Sequence, residues 1–199
     1  MLPIIPSEGS YTSWLAQCLQ KYFESLGFKF FYEIQTQSRE KNYPFDILAG
    51  VEKGNFVKRF GLQVKRPDQS KQDLYWKLDS VQHKQMKKFT WIWYALPDFL
   101  DRHYHKVTCF HTLFKNPNFG YISALHKSKI GFYLRLGAFA SKVEECSIGE
   151  KLSKGLDLLN SEELFKEFSF ANQIHTYLDF TEMKAQLFTN IKPESNEQG

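Results

Sequence analysis

Asp46, Gln63 and Lys65 are the residues of this chain whose types and spacing could do chemistry together. They lie in two otherwise apolar, strand-like runs, FDILAGV and FVKRFGLQVKR, joined by the turn-like tetrad EKGN. Glycine beside polar residues between two such runs is a hairpin signal. Side chains alternate along a strand, so Gln63 and Lys65 emerge on one face while Leu62 and Val64 face the other. A turn centred between Lys53 and Gly54 puts Asp46 opposite Gly61, with Gln63 its diagonal neighbour at roughly 7 Å. One carboxylate, one amide oxygen and the backbone carbonyl of Gln63 or Val64 make an all-oxygen set for one divalent cation. Lys65 stands beside it, able to polarise water or offset charge on a phosphoryl group.

The elements around this hairpin follow from periodicity. SYTSWLAQCLQKYFESLGF carries a helical stripe from Trp14 to Leu26, with Ser10 or Thr12 as cap and Gly27 as stop. Residues 28–36 are an aromatic strand, and RPDQSKQD is a turn because Pro67 interrupts a ladder. Residues 74–89 show apolar positions at helical spacing, and TWIWYALP is a buried strand in which Trp91 and Trp93 belong to the core. HYHKVTCFHTLF, FGYISAL and KIGFYLRLGAF are further strand candidates. Beyond residue 144 the pattern is acidic and helical, with a helix starting near Ser161 and a frayed tail. The expected fold is α/β: a mixed β-sheet flanked by helices over residues 10–143, with residues 144–192 an acidic helical region packed on the same domain.

Charge is unevenly placed. Residues 53–88 hold ten Lys/Arg against three Asp, a local +7, whereas residues 144–199 hold eleven Asp/Glu against five Lys. Positive charge beside a candidate cation site suits a phosphate backbone, and Lys58, Arg66, Lys84, Lys87 and Lys88 are the contacts it suggests. His83 and Gln85 share that stretch. A solvated lysine face on one helix is the competing explanation. No run approaches the roughly 18 apolar residues of a membrane span, and MLPIIPSEGS lacks the basic and apolar regions of a secretion signal. Cys18, Cys109 and Cys146 are too scattered for a disulfide framework, so a cytoplasmic setting is expected. His103, His105 and His111 invite zinc, but no Cys or acid stands at matching spacing. Tyr121, Tyr133 and Arg135 are candidate DNA readers that no pattern separates from ordinary sheet residues.

The element order together with FDILAG…FGLQVKRP resembles the PD-(D/E)xK nuclease superfamily, and its Gln63-Val64-Lys65 tripeptide resembles the Gln-x-Lys variant of Mrr-type restriction endonucleases. The resemblance covers about residues 10–97. It implies a restriction-endonuclease-like core and a Mg²⁺-dependent (or Mn²⁺-dependent) endonuclease acting on double-stranded DNA. Asp46, Gln63 and Lys65 would be its catalytic residues, with Asp46, Gln63 and the Val64 carbonyl as metal ligands. It further implies that Gln82 faces the site and that a homodimer or partner subunit serves the second strand. No proline directly precedes Asp46, which departs from the family pattern, although Pro44 stands one step further back. The first helix has Ala16 and Gln17 where many relatives carry a metal-binding Glu, leaving Glu8, Glu24 and Glu33 as substitutes. The alternatives are a nuclease-like fold that holds DNA without cutting it, and an unrelated interaction protein.

Overall fold

The computed structural model describes residues 5–35, 44–70, 73–100, 112–152, 175–179 and 184–188. Helix α1 (Glu8–Ser25) leads into strands β1 (Lys29–Ile34), β2 (Ile47–Lys53) and β3 (Phe56–Val64). A short hairpin follows, β4 (Pro67–Gln69) and β5 (Leu74–Lys77), then helix α2 (Ser80–Met86) and strands β6 (Ile92–Pro97), β7 (Thr112–Lys115) and β8 (Ala124–His126). Helix α3 (Leu136–Glu144) and strands β9 (Glu150–Lys151), β10 (His175–Asp179) and β11 (Lys184–Phe188) complete the described elements.

The main sheet has the order β11-β10-β1-β2-β3-β6-β7, and β9 pairs with the first half of β3. Its pairs are antiparallel except β3 with β6, which are parallel. That parallel pair requires the chain to cross over between residues 65 and 91, and the crossover carries β4, β5 and α2. A second sheet, β4-β5-β8, is built on it.

Alternation along the strands feeds two apolar cores. Phe30, Tyr32, Ile47, Ala49, Val51, Phe60 and Leu62 pack against α1 and α3 on one face. Leu48, Trp76, Met86, Ile92, Tyr94 and Leu96 pack on the other, under α2 and the second sheet. With both faces covered, β6 is buried at every position, as its unbroken apolar run requires.

Several elements differ from expectation. The cap of α1 is Ser7, whose hydroxyl accepts from the Ser10 amide, so the helix starts before both Ser10 and Thr12. Thr12 instead donates back to the Glu8 carbonyl. LYWK is a strand: Trp76 is fully buried and donates its indole N–H to the Pro97 carbonyl. Only Ser80–Met86 is helical, begun by Asp79, whose carboxylate accepts from the Gln82 amide. The KIGFYLRLGAF run turns helical from Leu136, burying Leu136, Phe139, Ala140 and Val143 at helical spacing. The C-terminal region was expected to be helical, yet its described residues after α3 include three strands, and β10 extends the main sheet beside β1. The rest of that region, including Ser161, lies outside the described residues, as do His103, His105, His111 and Cys109. Among the described residues no helix is long and apolar enough to cross a membrane.

The edge that β6 leaves open on the first half of β3 is closed by β9, and Gly149 makes the approach. Its φ is +84°, and a Cβ there would stand 2.9 Å from the Arg59 carbonyl oxygen. Gly149→Ala combines left-handed backbone strain with that backbone collision, for an expected loss of about 2 kcal/mol. Urea unfolding followed by tryptophan fluorescence measures it, and an unchanged midpoint would show that β9 shifts without cost.

Candidate active site

Gly54 and Asn55 form the two-residue turn of the central hairpin, Gly54 at φ +61°, and Lys53 pairs with Phe56. The turn is thus centred between Gly54 and Asn55, one residue later than the spacing predicts. The shift carries through the ladder to the pair Ile47–Leu62; just beyond it the Asp46 amide still bonds to the Leu62 carbonyl, and its side chain meets Gln63 instead of Gly61. Gly61 has a separate role. A Cβ there would come within 3.1 Å of Ile92, 3.2 Å of Trp91 and 3.4 Å of Phe45, so only glycine lets these apolar groups close beside the site.

Asp46 is held from both sides by its own backbone. Its amide donates to the Leu62 carbonyl at 2.9 Å, and its carbonyl accepts from the Gln35 amide at 2.8 Å. The side chain, 2 % exposed, therefore projects from a fixed point. Oδ2 accepts from the Gln63 amide nitrogen and from the Val64 backbone N–H, each at 2.6 Å. The same Gln63 nitrogen reaches the Val64 carbonyl at 3.3 Å. Asp46, Gln63 and the Val64 carbonyl thus form one bonded cluster where β2 begins and β3 ends. Buried Oε1 of Gln63 has no hydrogen-bond partner among the described residues. A buried amide oxygen without a donor is costly, and a hard cation supplies what it lacks. With a carboxylate and a backbone carbonyl as companions, the donor types suit Mg²⁺ or Mn²⁺ and not thiolate- or imidazole-seeking zinc, although a cation would need the Gln63 amide turned over, since its nitrogen now faces both oxygens.

Lys65 continues on the Gln63 face. Its amide donates to the Ala95 carbonyl at 3.1 Å, which anchors the end of β3 to β6. Its ammonium is 3.9 Å from Glu8 Oε1, while Glu8 Oε2 accepts the Arg66 amide at 2.8 Å. Among the three carboxylates left open by the sequence, Glu8 is the one that meets the lysine. Glu24 lies at the other end of α1, bonded to Gln20. Glu33 is fully buried on β1, across from Leu48. Gln35 follows on the same face of β1 and continues the row of Asp46 and Gln63 onto a third strand; its buried Oε1 has no partner among the described residues. No group of three or more His, Cys, Asp or Glu side chains suited to a metal gathers among the described residues.

On the other side of Gln63 the row meets Tyr94 of β6. Burial pushes the Tyr94 phenol up, and its hydroxyl is 3.1 Å from His83 Nδ1. His83 is stacked on the Tyr94 ring, and its Nε2 is 3.0 Å from the Phe119 carbonyl. It is a core residue whose pKa burial lowers, contrary to the expectation that it joins a phosphate-contacting surface. Lys58 needs the same correction. It is 1 % exposed beneath β9, and its ammonium donates to the Ile148 carbonyl, so it is not on a surface that phosphate can reach. Burial lowers its pKa. Arg66, Lys84, Lys87 and Lys88 are exposed as expected, and Gln82 carries a buried Oε1 without a partner among the described residues.

The chain is a mixed α/β protein with a bonded Asp–Gln–backbone cluster and a neighbouring lysine at one end of its main sheet. No family model, curated protein or solved structure matches it.

Proposed function

We propose that the chain is a metal-dependent endonuclease that hydrolyses DNA phosphodiesters, built on a restriction-endonuclease-like core. The observation that carries this reading is the Asp46–Gln63 pair, two buried side chains bonded at 2.6 Å, with Lys65 two residues on along the same strand face. The order α1, β1, β2, β3, α2, β6, with an antiparallel meander followed by a parallel strand, supports the fold assignment.

Asp46, the Val64 carbonyl and Gln63, with its amide turned so that Oε1 replaces the nitrogen, would hold the cation. When bound, a Mg²⁺ or Mn²⁺ ion supplies Lewis-acid polarisation of the scissile phosphate and acidifies a water. The backbone clamp on Asp46 fixes the carboxylate before substrate arrives, so little reorganisation accompanies reaction. Lys65 donates to the phosphoryl oxygens as charge develops on them, and Glu8 keeps its side chain turned toward the strand end. Arg66, Lys84, Lys87 and Lys88 contact neighbouring phosphates of a DNA duplex. A single centre cuts one strand at a time, so double-strand cleavage calls for a homodimer or a partner subunit.

A protein of this fold that holds DNA without cutting it is the second reading, favoured by the single carboxylate in the bonded cluster. Plasmid nicking with Mg²⁺ or Mn²⁺, beside calorimetric titration of each metal, separates the two. Salt-sensitive DNA binding with neither cleavage nor metal uptake would leave the non-cutting protein. Reversing Lys84, Lys87 and Lys88 to Glu is expected to weaken duplex binding at about 0.1 M salt by at least tenfold, alike for all sequences. An unchanged isotherm would make these lysines a solvated face only.

A further inference from the structure

The segment from Lys127 to Arg135 crosses the end of the sheet that carries the candidate site. Asp98 lies three residues beyond Ala95, the residue whose carbonyl accepts the Lys65 amide. The Asp98 carboxylate is 3.2 Å from Arg135 and 3.7 Å from Lys127, tying the segment there. Ile130 packs partly on the second core, and Leu134 is buried in the first. Between these anchors the chain bulges outward. Phe132 is 58 % exposed and Tyr133 42 %.

Two adjacent exposed aromatic rings forgo burial that a fold ordinarily gives such side chains. Tyr121, also exposed, has structural work: its hydroxyl donates to the Leu78 carbonyl and its ring lies 5.8 Å from His83. Among the described residues the rings of Phe132 and Tyr133 have no comparable contact. The stretch of chain that carries them is cationic in sequence. Residues 112–143 contain no Asp or Glu and five Lys/Arg. Lys129, exposed beside the bulge, has no carboxylate partner among the described residues, while Asp73 and Asp98 are the acids that reach the segment.

We infer that Phe132 and Tyr133 form a stacking platform for unpaired bases of the DNA strand next to the cleavage site, with Lys129 on its phosphates. The inference rests on the proposed function for its ligand. Positive charge selects a polyanion, and rings standing free of a groove stack on bases that are out of a duplex, whatever their sequence. The substrate class is therefore duplex DNA with a frayed, branched or single-stranded portion.

The test uses the full chain, a labelled oligothymidylate of about 15 nucleotides and a paired duplex of equal length, followed by fluorescence anisotropy. Phe132→Ala/Tyr133→Ala is expected to weaken oligothymidylate binding at least about tenfold while duplex affinity changes less than about twofold. Tyr133→Phe, which keeps the ring, is expected to bind like wild type. Equal losses on both probes, or no loss on either, overturns the platform. So does an effect confined to self-association or to binding of anionic phosphatidylserine vesicles. Failure of the nuclease reading would look different. Ring-dependent oligothymidylate binding with no metal uptake and no cleavage removes the enzyme and keeps the platform. Cleavage that depends on Asp46, with no ring dependence, does the reverse.

Discussion

Lys65→Ala is expected to lower plasmid nicking by about 10³-fold or more while duplex affinity falls less than about tenfold. The asymmetry follows from where the charge acts. In binding, Lys65 is one cation among several, and losing one phosphate contact weakens attraction modestly. In reaction, negative charge grows on phosphoryl oxygens next to an ammonium whose position is set by the β3–β6 anchor and by Glu8, 3.9 Å away. A preorganised donor at that point is worth far more in the transition state than in the ground state. Little stability should be lost, because the Lys65–Glu8 contact is long and partly exposed, and Glu8 keeps its bond from the Arg66 amide. Lys65→Arg keeps the charge but not the point geometry and should fall between wild type and Ala. Wild-type nicking by Lys65→Ala would remove the lysine from the chemistry, whatever the metal does.

Gln63→Glu is expected to make folding depend on divalent metal. The substitution sets a second carboxylate where an amide now donates to Asp46 at 2.6 Å, at a position 1 % exposed. It exchanges a hydrogen bond for like-charge repulsion in a desolvated place, at a cost of about 3 kcal/mol. A proton shared by the pair relieves that cost. The folded state then binds more protons than the unfolded one, and stability rises as pH falls from 7 toward about 5. A bound cation relieves it as well, so the thermal midpoint should climb with Mg²⁺ or Mn²⁺ concentration, more steeply than in wild type. Differential scanning fluorimetry across pH and metal reads both effects. A variant as stable as wild type, indifferent to metal and pH, would show that the two side chains separate easily and that no cation site exists between them.

The sequence made the hairpin, the first helix and the buried strand 92–97 legible because each has an unbroken period and a clear stop. It was less informative where two periods coincide. Leu74 and Leu78 suit a helix, but Tyr75 and Trp76 are equally good strand residues, and the burial of Trp76 against Pro97 decides. The candidate residues were readable by type, whereas the partner expected for Asp46 lay two residues from the one it meets, because the turn is Gly54-Asn55 and shifting a turn by one residue moves every partner by two. Glu8 could not have been singled out. Its role depends on where the start of α1 lies relative to the end of β3, which no local pattern encodes. Lys58 misleads for a different reason. It shares the core-facing side of β3 with Phe60 and Leu62, and the Ile148 carbonyl just before β9, distant in sequence, takes its ammonium.

The crossover between β3 and β6 divides the molecule's labour. The bonded cluster belongs to the main sheet, and its rungs are fixed by β1, β2 and β3. The exposed Lys77, Lys84, Lys87 and Lys88 belong to the excursion between residues 65 and 91. On the nuclease reading proposed above, surface changes on that excursion would alter grip and partner preference without disturbing a rung of the Asp46–Gln63 row. Diversification and engineering thus have separate handles: an insertion that grows or swaps recognition parts, and a framework that keeps the chemistry constant.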